Sequence, residues 1–196
     1  MNLRFSFFLA GINLLLFIST GFSQSPVTVA WNGQNGLGSD IGYTVFVDSR
    51  GFVWVGTDGA GVGMFDGQNI RMYNQKDGLC GNTILAIKED KDGNMWFGSQ
   101  GYGLSVFDGK KFTNYTSEDS VGISANDAVM SLYCAKNGNI YVGTFRNGVL
   151  KYTGKNFISV TDTALSPMTV WHFIENEKDG TIYFSTTTHG LGKMVD

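Results

Sequence analysis

The residues best suited to chemistry lie in short glycine-containing turns. Asp90, Asp92 and Asn94 alternate in an Asp-Lys-Asp-Gly-Asn turn that resembles the start of a calcium-binding loop. Such a loop needs further oxygen ligands within about 12 residues, including a late glutamate, whereas Met95-Trp96-Phe97 follows here and is typical of a strand. The corresponding turns elsewhere in the chain lose these acids. We therefore interpret the turn as a hairpin turn, and we predict no metal site and no cofactor.

Other catalytic patterns are equally poorly matched. The glycines of 59–63 and 98–103 precede strand-like segments, whereas a phosphate-binding loop leads directly into a helix. His172 and His189 are the only histidines, and neither has a metal-ligand partner nearby in the sequence. No Ser-His-Asp spacing or nucleophile elbow is visible. The sequence therefore predicts a protein that is not an enzyme.

Composition narrows the class of protein and the class of partner. Lys and Arg number 14 against 17 Asp and Glu, for a net charge of −3. This balance provides no basic surface for nucleic acid, so we predict no nucleic-acid partner. Glycine accounts for 27 of 196 residues and proline for 2, while aromatic residues make up 14%. Many short strands joined by glycine turns are expected from this composition.

The first 23 residues form a separate segment. Arg4 precedes a mostly apolar run at Phe7–Ile18, and small residues follow up to Ser23. This layout predicts a secretory signal peptide. The alternative is an uncleaved membrane anchor, but the run is shorter than the roughly 20 residues of a spanning helix. We therefore expect a periplasmic or secreted protein that begins at Gln24 after cleavage.

Four segments repeat one pattern, in which a glycine, an aromatic residue and a second small residue recur in phase. The glycines that precede the copies are 42, 45 and 42 residues apart. The aligned segments are FVWVGTDGAGVGMFDG (52–67), NMWFGSQGYGLSVFDG (94–109), NIYVGTFRNGVLKYTG (139–154) and TIYFSTTTHGLGKMVD (181–196). A repeat of this length with four short antiparallel strands is typical of a β-propeller blade. We predict an all-β propeller with four blades at about 27–73, 78–115, 122–160 and 165–196.

We label the four strands of a blade A to D in chain order. Strand A is predicted at Thr44–Val47, Ile84–Ile87, Val129–Tyr133 and Val170–Ile174. Strand B is predicted at Val53–Thr57 and its copies, and strand C at Val62–Phe65, Leu104–Phe107, Val149–Tyr152 and Leu191–Val195. Strand D is predicted at Ile70–Tyr73, Phe112–Tyr115 and Phe157–Val160.

The two ends of the repeat are complementary. Trp31 lies 42 residues before Tyr73, so Val27–Trp31 resembles a strand D without its own A, B and C. The fourth copy stops after its strand C. Val27–Trp31 completing the fourth blade would give a closed four-bladed ring, and the alternative is an open arc from a larger propeller. Because repeats stack on their neighbours and the last unit is incomplete, we favour the open arc.

The second copy also resembles a known repeat. The stretch GLCGNTILAIKEDKDGNMWFGSQGYGLSVFDGKKFTNY (78–115) resembles the two-component regulator propeller repeat, with its Gly-Leu start, Asp-x-x-Gly-Asn turn, Trp-x-Gly motif, second Gly-Leu and final Asp-Gly. The first copy matches at Gly36, Leu37, Asp48, Gly51, Trp54, Gly56, Thr57, Asp66 and Gly67. The later copies depart from it, because Tyr141 and Tyr183 replace the tryptophan and Ser185 replaces the glycine. The resemblance covers about 160 of the 196 residues.

The resemblance implies a sensor. Such repeats typically form the periplasmic region of Bacteroidetes-type hybrid two-component histidine kinases, which often recognise carbohydrate breakdown products. It implies an extracytoplasmic segment that binds a carbohydrate and has no catalytic activity, since no kinase module lies within these residues. The alternative is a stand-alone secreted propeller that acts as a lectin or scaffold, with a polysaccharide lyase as a third reading. The expected protein partners are further blades or a second propeller, and the resemblance leaves room for a homodimer.

Propellers bind ligands where loops from different blades meet. Between strands B and C, the side chains that vary from copy to copy are the candidate ligand-binding residues, with solvated loops as the alternative. These residues are Asp58, Gln100, Tyr102, Phe145, Arg146, Asn147 and His189. The aromatic rings of Tyr102 and Phe145, with Arg146 nearby, would suit a charged sugar. The aromatic residues on the strands, Trp54, Trp96, Tyr141, Tyr183 and Trp171, are instead predicted to pack in the core.

The two cysteines are predicted to be free thiols. Cys80 precedes strand A of the second blade, whereas Cys134 ends strand A of the third. A strand of this kind spans about 20 Å, and disulfide-bonded Cα atoms lie within roughly 7 Å of each other. An oxidising compartment favours disulfides in general, but this placement argues against one here.

Overall fold

The computed structural model describes residues 28–116, 123, 127–162 and 167–194, so the predicted signal peptide at 1–23 lies outside the described residues. All the sheets belong to one unit of the chain, Trp31–Asp196. The regular structure described there consists of fifteen strands and a short 3-10 helix at Gln75–Asp77. A search of these same ranges finds no helix with the length and hydrophobicity needed to cross a membrane.

The strands form four separate antiparallel sheets in chain order. The first contains β1 (Gly42–Val47), β2 (Val53–Thr57), β3 (Val62–Phe65) and β4 (Ile70–Tyr73), and the second β5 (Ile84–Glu89), β6 (Met95–Ser99), β7 (Leu104–Phe107) and β8 (Phe112–Tyr115). The third contains β9 (Val129–Cys134), β10 (Ile140–Thr144), β11 (Val149–Tyr152) and β12 (Phe157–Ser159), and the fourth β13 (Val170–Glu175), β14 (Ile182–Thr186) and β15 (Leu191–Lys193). The all-β propeller fold is confirmed.

Strands B, C and D were largely predicted to the residue, and the differences are at strand ends. Strand A is longer than predicted in all four sheets. It begins at Gly42 in the first sheet and continues to Glu89, Cys134 and Glu175 in the others. β12 ends at Ser159, one residue before the predicted end.

The sheets stack face to face through their first strands. β1 contacts β5, β5 contacts β9 and β9 contacts β13. An apolar cluster fills each of these three interfaces between neighbouring sheets, which we call joints. Trp54, Trp96 and Tyr141 occupy the same position in successive joints, and each is at most 4% exposed. Their predicted role in core packing is confirmed. Tyr183, the fourth copy, is only partly buried on the outer face of the fourth sheet.

The glycine in the middle of strand B is required by the next sheet. A Cβ atom at Gly98 would lie 2.4 Å from Val129 Cγ1 and 3.1 Å from the Val129 carbonyl oxygen. Gly56 and Gly143 face the corresponding carbonyls of Ile84 and Val170 at 2.6 and 2.9 Å. These contacts are shorter than real Cβ contacts, so only glycine fits where a following strand A approaches. Ser185 holds this position on the outer face of the fourth sheet.

In the first and second sheets, the aspartate of the A–B turn is paired with the tryptophan of strand B. Asp90 Oδ1 accepts hydrogen bonds from the backbone N–H groups of Asp92 and Asn94, and Asp90 Oδ2 accepts one from the Trp96 indole at 2.8 Å. Asp48 binds its own turn and Trp54 in the same way. The Asp90 turn is therefore the predicted hairpin turn, and its carboxylate is occupied by the turn itself.

The prediction of a strand at Val27–Trp31 is wrong for the residues described. Residues 28–31 form no strand, and Val27 lies outside the described ranges. The Trp31 ring packs against Phe65 of β3, with the ring centroids 4.7 Å apart. A turn follows, in which the N–H groups of Asn35 and Leu37 donate to the Asn32 carbonyl. Trp31, still 42% exposed, therefore contacts the first sheet, and the alternative of pairing with the fourth sheet is not observed.

The four sheets form a partial array and do not close into a ring. The fourth sheet has three strands among the described residues. Apolar side chains are exposed on both outer faces, Val45 and Val47 on the first sheet and Ile174 and Leu191 on the fourth, at 59–70%. The open arc that we favoured is the arrangement observed, and the closed four-bladed alternative is not.

Candidate functional site

The loops between strands B and C lie at the same end of the sheets as the connections into strand A. We call this the loop end. In every sheet the residue after strand B donates its backbone N–H to the carbonyl of the residue just before strand A. These bonds are Asp58 to Ile41, Gln100 to Thr83, Phe145 to Ala128 and Thr187 to Thr169, at 2.9–3.2 Å. The loops of the predicted site therefore start from the same backbone position in each sheet.

A hydroxyl group closes each B–C loop. The last residue of strand B donates its side-chain O–H to the carbonyl of the glycine that ends the loop. The pairs are Thr57 with Gly61, Ser99 with Gly103, Thr144 with Gly148 and Thr186 with Gly190, at 2.8–3.1 Å. The first and last residues of each B–C loop are thus fixed, while the residues between them differ from sheet to sheet. This arrangement presents different side chains on an identical frame.

All seven predicted ligand residues lie in these loops, but two of them are used to hold the structure. Asp58 Oδ1 accepts a hydrogen bond from the Thr83 hydroxyl at the start of the second sheet. Asn147 donates its side-chain amide to the buried Asp127 carboxylate, and its backbone N–H bonds to the Thr144 hydroxyl. These side chains link neighbouring elements, which restricts their freedom to meet a ligand.

The remaining candidates offer aromatic and cationic groups at the surface. Tyr102 is 58% exposed and Phe145 is 44% exposed, and the Arg146 guanidinium lies 5.7 Å from the centre of the Phe145 ring. His189 Nδ1 shares a hydrogen bond with the neighbouring Thr188 hydroxyl, and Gln100 is exposed. The ligand role of all seven residues stays a prediction.

A cavity of about 350 Å³ lies on the inner side of the array, where the first strands of all four sheets meet. We call it the channel cavity. None of the seven predicted residues lines it. Its lining residues are Tyr43, Thr44, Leu85, Ala86, Ile87, Met130, Ser131, Leu132, Trp171 and His172.

Each inner strand carries a register irregularity at the same position. The pairing of strand A with strand B shifts between Gly42 and Thr44, Ile84 and Ala86, Val129 and Ser131, and Val170 and His172. The residue skipped in each strand lines the channel cavity: Tyr43, Leu85, Met130 and Trp171. A β-bulge leaves one residue unpaired and re-aims its side chain, so the bulge places these four residues at the channel.

The core assignment of Trp171 is therefore wrong. Its side chain is 42% exposed at the channel cavity and does not pack in a joint between sheets. One feature of the sequence could have revealed this channel position. It keeps the repeat spacing but varies in residue type, and its four copies, 42, 45 and 41 residues apart, are Tyr43, Leu85, Met130 and Trp171. Alternation of side chains along a regular strand does not predict such an unpaired residue.

A second cavity of about 230 Å³ lies at the opposite end, near the A–B turns of the third and fourth sheets. Asn137, Asp179 and Lys193 contribute its polar groups. The backbone N–H of Thr181 donates to Asp179 and holds the pKa of this carboxyl below its ordinary value. Across the described ranges, no group of three or more His, Cys, Asp or Glu residues is arranged to hold a metal ion.

Both cysteines are free thiols with restricted reactivity. Cys80 lies beside the Ser99 and Ser105 hydroxyls, and burial raises the pKa of its thiol. Burial and the nearby Asp90 carboxylate raise the pKa of the Cys134 thiol as well. Lys88 and Lys91 lie near Cys134 and favour the thiolate, but burial and Asp90 outweigh them.

Comparison with known families identifies the repeat. Residues 78–101 and 122–146 match the family model described as two component regulator propeller. The chain contains two-component regulator propeller repeats. The matched segments cover strand A, the A–B turn and strand B of the second sheet, and the same elements of the third. They include the Asp90–Trp96 pair and two of the three joint glycines, Gly98 and Gly143.

Solved structures place these propeller repeats in a larger context. The extracellular domain of a putative hybrid two-component system from B. thetaiotaomicron matches at 25% identity with a TM-score of 0.69, over 88% of this chain and 24% of that one. A second such domain from the same organism matches at 16% identity and 0.65, over 84% and 23%. Virginiamycin B lyase from Staphylococcus aureus shares the fold at 14% identity and 0.57, over 78% and 54%. A comparison with curated proteins found no match.

The chain thus spans about a quarter of the length of the two extracellular domains that it matches.

Proposed function

We propose that this propeller is part of the extracytoplasmic sensor of a two-component signalling protein, that it binds a carbohydrate, and that it has no catalytic activity. The observation that carries the proposal is the match of two blades to the regulator propeller repeat, together with the similarity of most of the chain to an extracellular domain of a putative hybrid two-component system. The proposed location is periplasmic.

The construction of the sheets supports a binding role. Hydroxyl groups and backbone bonds fix both ends of every B–C loop, while the loop side chains differ between sheets. A fixed frame lowers the entropy lost when a ligand is bound. Ligand sites are typically concave and combine apolar and aromatic side chains with a few polar groups, as the channel cavity does.

The outer faces support further blades as partners. In the joint between the first two sheets, Ile87, Met95 and Phe97 are buried on the face that meets Trp54. Val45, Val53 and Val55 hold the same register positions on the outer face of the first sheet. Val45 is 66% exposed there, although Ile87 at the same position of the second sheet is only 7% exposed. Propeller blades that continue the stack would cover this face.

The test is genetic. The gene is deleted in its native organism, and transcription of neighbouring carbohydrate-use genes is measured during growth on single saccharides. Loss of induction by one saccharide, restored by the complete native gene, is the expected result. Unchanged induction by every saccharide, with binding of a saccharide by the purified chain, would contradict the sensor role and indicate a stand-alone lectin.

A further inference from the structure

We propose that the channel cavity is a binding site for a neutral saccharide, whose ring stacks on Tyr43 or Trp171 and whose hydroxyl groups bond to the polar groups between them. The proposal rests on the carbohydrate class proposed above and assigns it to a different place from the loop end. The proposal follows from the four bulges, from the aromatic side chains that line the channel cavity, and from the lack of Lys, Arg, Asp and Glu in its lining.

The channel cavity is made by a repeated backbone feature. The four bulges lie at the same position of four inner strands, and each turns one large side chain toward the same space. The approach of β5, β9 and β13 to the glycine of the preceding sheet keeps three of these backbones in place, and β1 is held by its pairing with β2 and its contact with β5. The four side chains are therefore held at one level of the channel by rigid elements, which is the condition for a pre-formed site.

Aromatic and apolar side chains provide the stacking surface. Tyr43 and Trp171 are 49% and 42% exposed, and both line the channel cavity. Leu85 and Met130 line it from the two central sheets. The C–H face of a pyranose ring is apolar and packs on an aromatic face, which contributes energy through area burial and through the ring's quadrupole.

Polar groups beside these rings are available to a ligand. With the residues that the structure describes, the Tyr43 phenol, the Thr44 hydroxyl and the Trp171 indole make no hydrogen bond, and neither does the His172 imidazole. The Ser131 hydroxyl donates to the Val170 carbonyl and keeps its lone pairs for an incoming donor. A hydrocarbon ligand would leave these groups unpaired, whereas sugar hydroxyls match them.

The lining favours a neutral ligand over a charged one. The ten lining residues include no Lys, Arg, Asp or Glu. A carboxylate or ammonium group that entered would lose hydration without gaining an opposite charge. The loop end, with Arg146 beside Phe145, has the opposite character and was predicted to suit a charged sugar. Ligand charge therefore separates the two sites.

The experiment uses the full chain and ligand-detected saturation-transfer NMR. The neutral probes are cellobiose, maltose and xylobiose, and the charged probe is D-glucuronate. Trp171→Ala and Tyr43→Ala remove the stacking surface, and Leu85→Trp fills the cavity without removing an aromatic ring. Phe145→Ala and Tyr102→Ala test the competing loop-end site, because they remove its exposed aromatic rings. Circular dichroism establishes that each variant is folded.

The expected result is that a neutral probe binds and that each channel variant weakens it about tenfold, while the loop-end variants leave it unchanged. Loss of binding only in the loop-end variants would overturn the channel site and leave the sensor proposal standing. Binding of glucuronate alone would overturn the neutral class. Binding of no probe would overturn this proposal and also count against the carbohydrate class proposed above.

Discussion

The indole N–H of Trp54 donates a hydrogen bond to the Asp48 carboxylate at 3.0 Å, and both side chains are nearly or fully buried. Trp96 and Asp90 repeat this pair in the second sheet. The third sheet has Ala135 and Tyr141 at the two positions, so both members changed together. The aspartate and tryptophan therefore act as one unit that ties the A–B turn to the centre of the blade.

Removal of Asp48 should be costly. In Asp48→Ala the indole of Trp54 and the turn N–H groups of Arg50 and Phe52 lose their acceptor. We expect the free energy of unfolding to fall by about 3 kcal/mol, measured by urea denaturation. Asp66→Ala, in the exposed turn between β3 and β4, is the matched control and should cost less. Additive losses for Asp48→Ala and Trp54→Phe would contradict the idea of a coupled pair.

Stability should fall in acid because of the same carboxylate. Burial of Asp48 opposes ionisation, but hydrogen bonds from Trp54, Arg50 and Phe52 outweigh it and hold the pKa below its ordinary value of 3.8. A pKa that is lower in the folded state adds stability above the unfolded-state pKa, and this stability is lost as the pH falls through the folded-state pKa. The urea midpoint should therefore drop between about pH 5 and pH 2. A drop of the same size in Asp48→Asn would argue against this origin.

The joint glycines should tolerate no side chain. In Gly98→Ala the new Cβ would meet Val129 at 2.4 Å and push the second and third sheets apart. We expect a loss of about 3 kcal/mol in the free energy of unfolding. Gly42→Ala is the control, because its nearest neighbour would be Val55 Cγ1 at 3.5 Å, an ordinary contact. Equal effects of the two substitutions would show that the approach of the next strand is not the cause.

At two of the three joints, a carboxylate at the end of strand A accepts hydrogen bonds from the A–B turn of the preceding sheet. Glu89 accepts hydrogen bonds from the backbone and side chain of Ser49, and Glu175 accepts one from the Lys136 backbone. Cys134 takes the same position at the middle joint, where the backbone N–H of Lys91 faces its thiol. Glu89→Ala should cost about 1 kcal/mol, and Cys134→Glu should raise the unfolding midpoint. A lower midpoint in Cys134→Glu would contradict the equivalence of the three joints.

The thiols give a chemical test of the cysteine prediction. Denatured, unreduced protein should react with Ellman's reagent at two thiols per chain, because Cys80 and Cys134 are free. In the folded protein Cys80 should react much more slowly, since burial raises its pKa and lowers the thiolate fraction. The single variants Cys80→Ala and Cys134→Ala show which cysteine gives the fast and which the slow phase of the reaction. A denatured chain without reactive thiols would show that the cysteines are paired.

Sequence reasoning found the blades because their strands repeat in phase. Strand B at Val53–Thr57 and strand C at Val62–Phe65 were predicted to the residue, since glycine turns bound them on both sides. Trp31 was misplaced because a spacing of 42 residues to Tyr73 carries no information on its contact partner, which is Phe65. Long-range packing of an isolated segment leaves no periodic signal.

The candidate site was predicted only at the loop end. Turn residues fix where the B–C loops lie, so the exposure of Tyr102 and Phe145 follows from their position. The channel residues were missed because Trp171 was judged by its type, and large aromatic residues on strands are usually buried. The bulge that turns Trp171 toward the channel is a shift in the register of β13 against β14 between Val170 and His172, and side-chain alternation along the sequence does not predict such a shift.

The repeated bulge has a consequence for how such chains diversify. Each copy of the repeat brings one residue to the channel that takes no part in strand pairing, and the four copies carry tyrosine, leucine, methionine and tryptophan there. A codon at that position can change without altering the backbone around it. Duplication of the repeat therefore multiplies independent choices of side chain around one axis, and new recognition properties can arise one blade at a time.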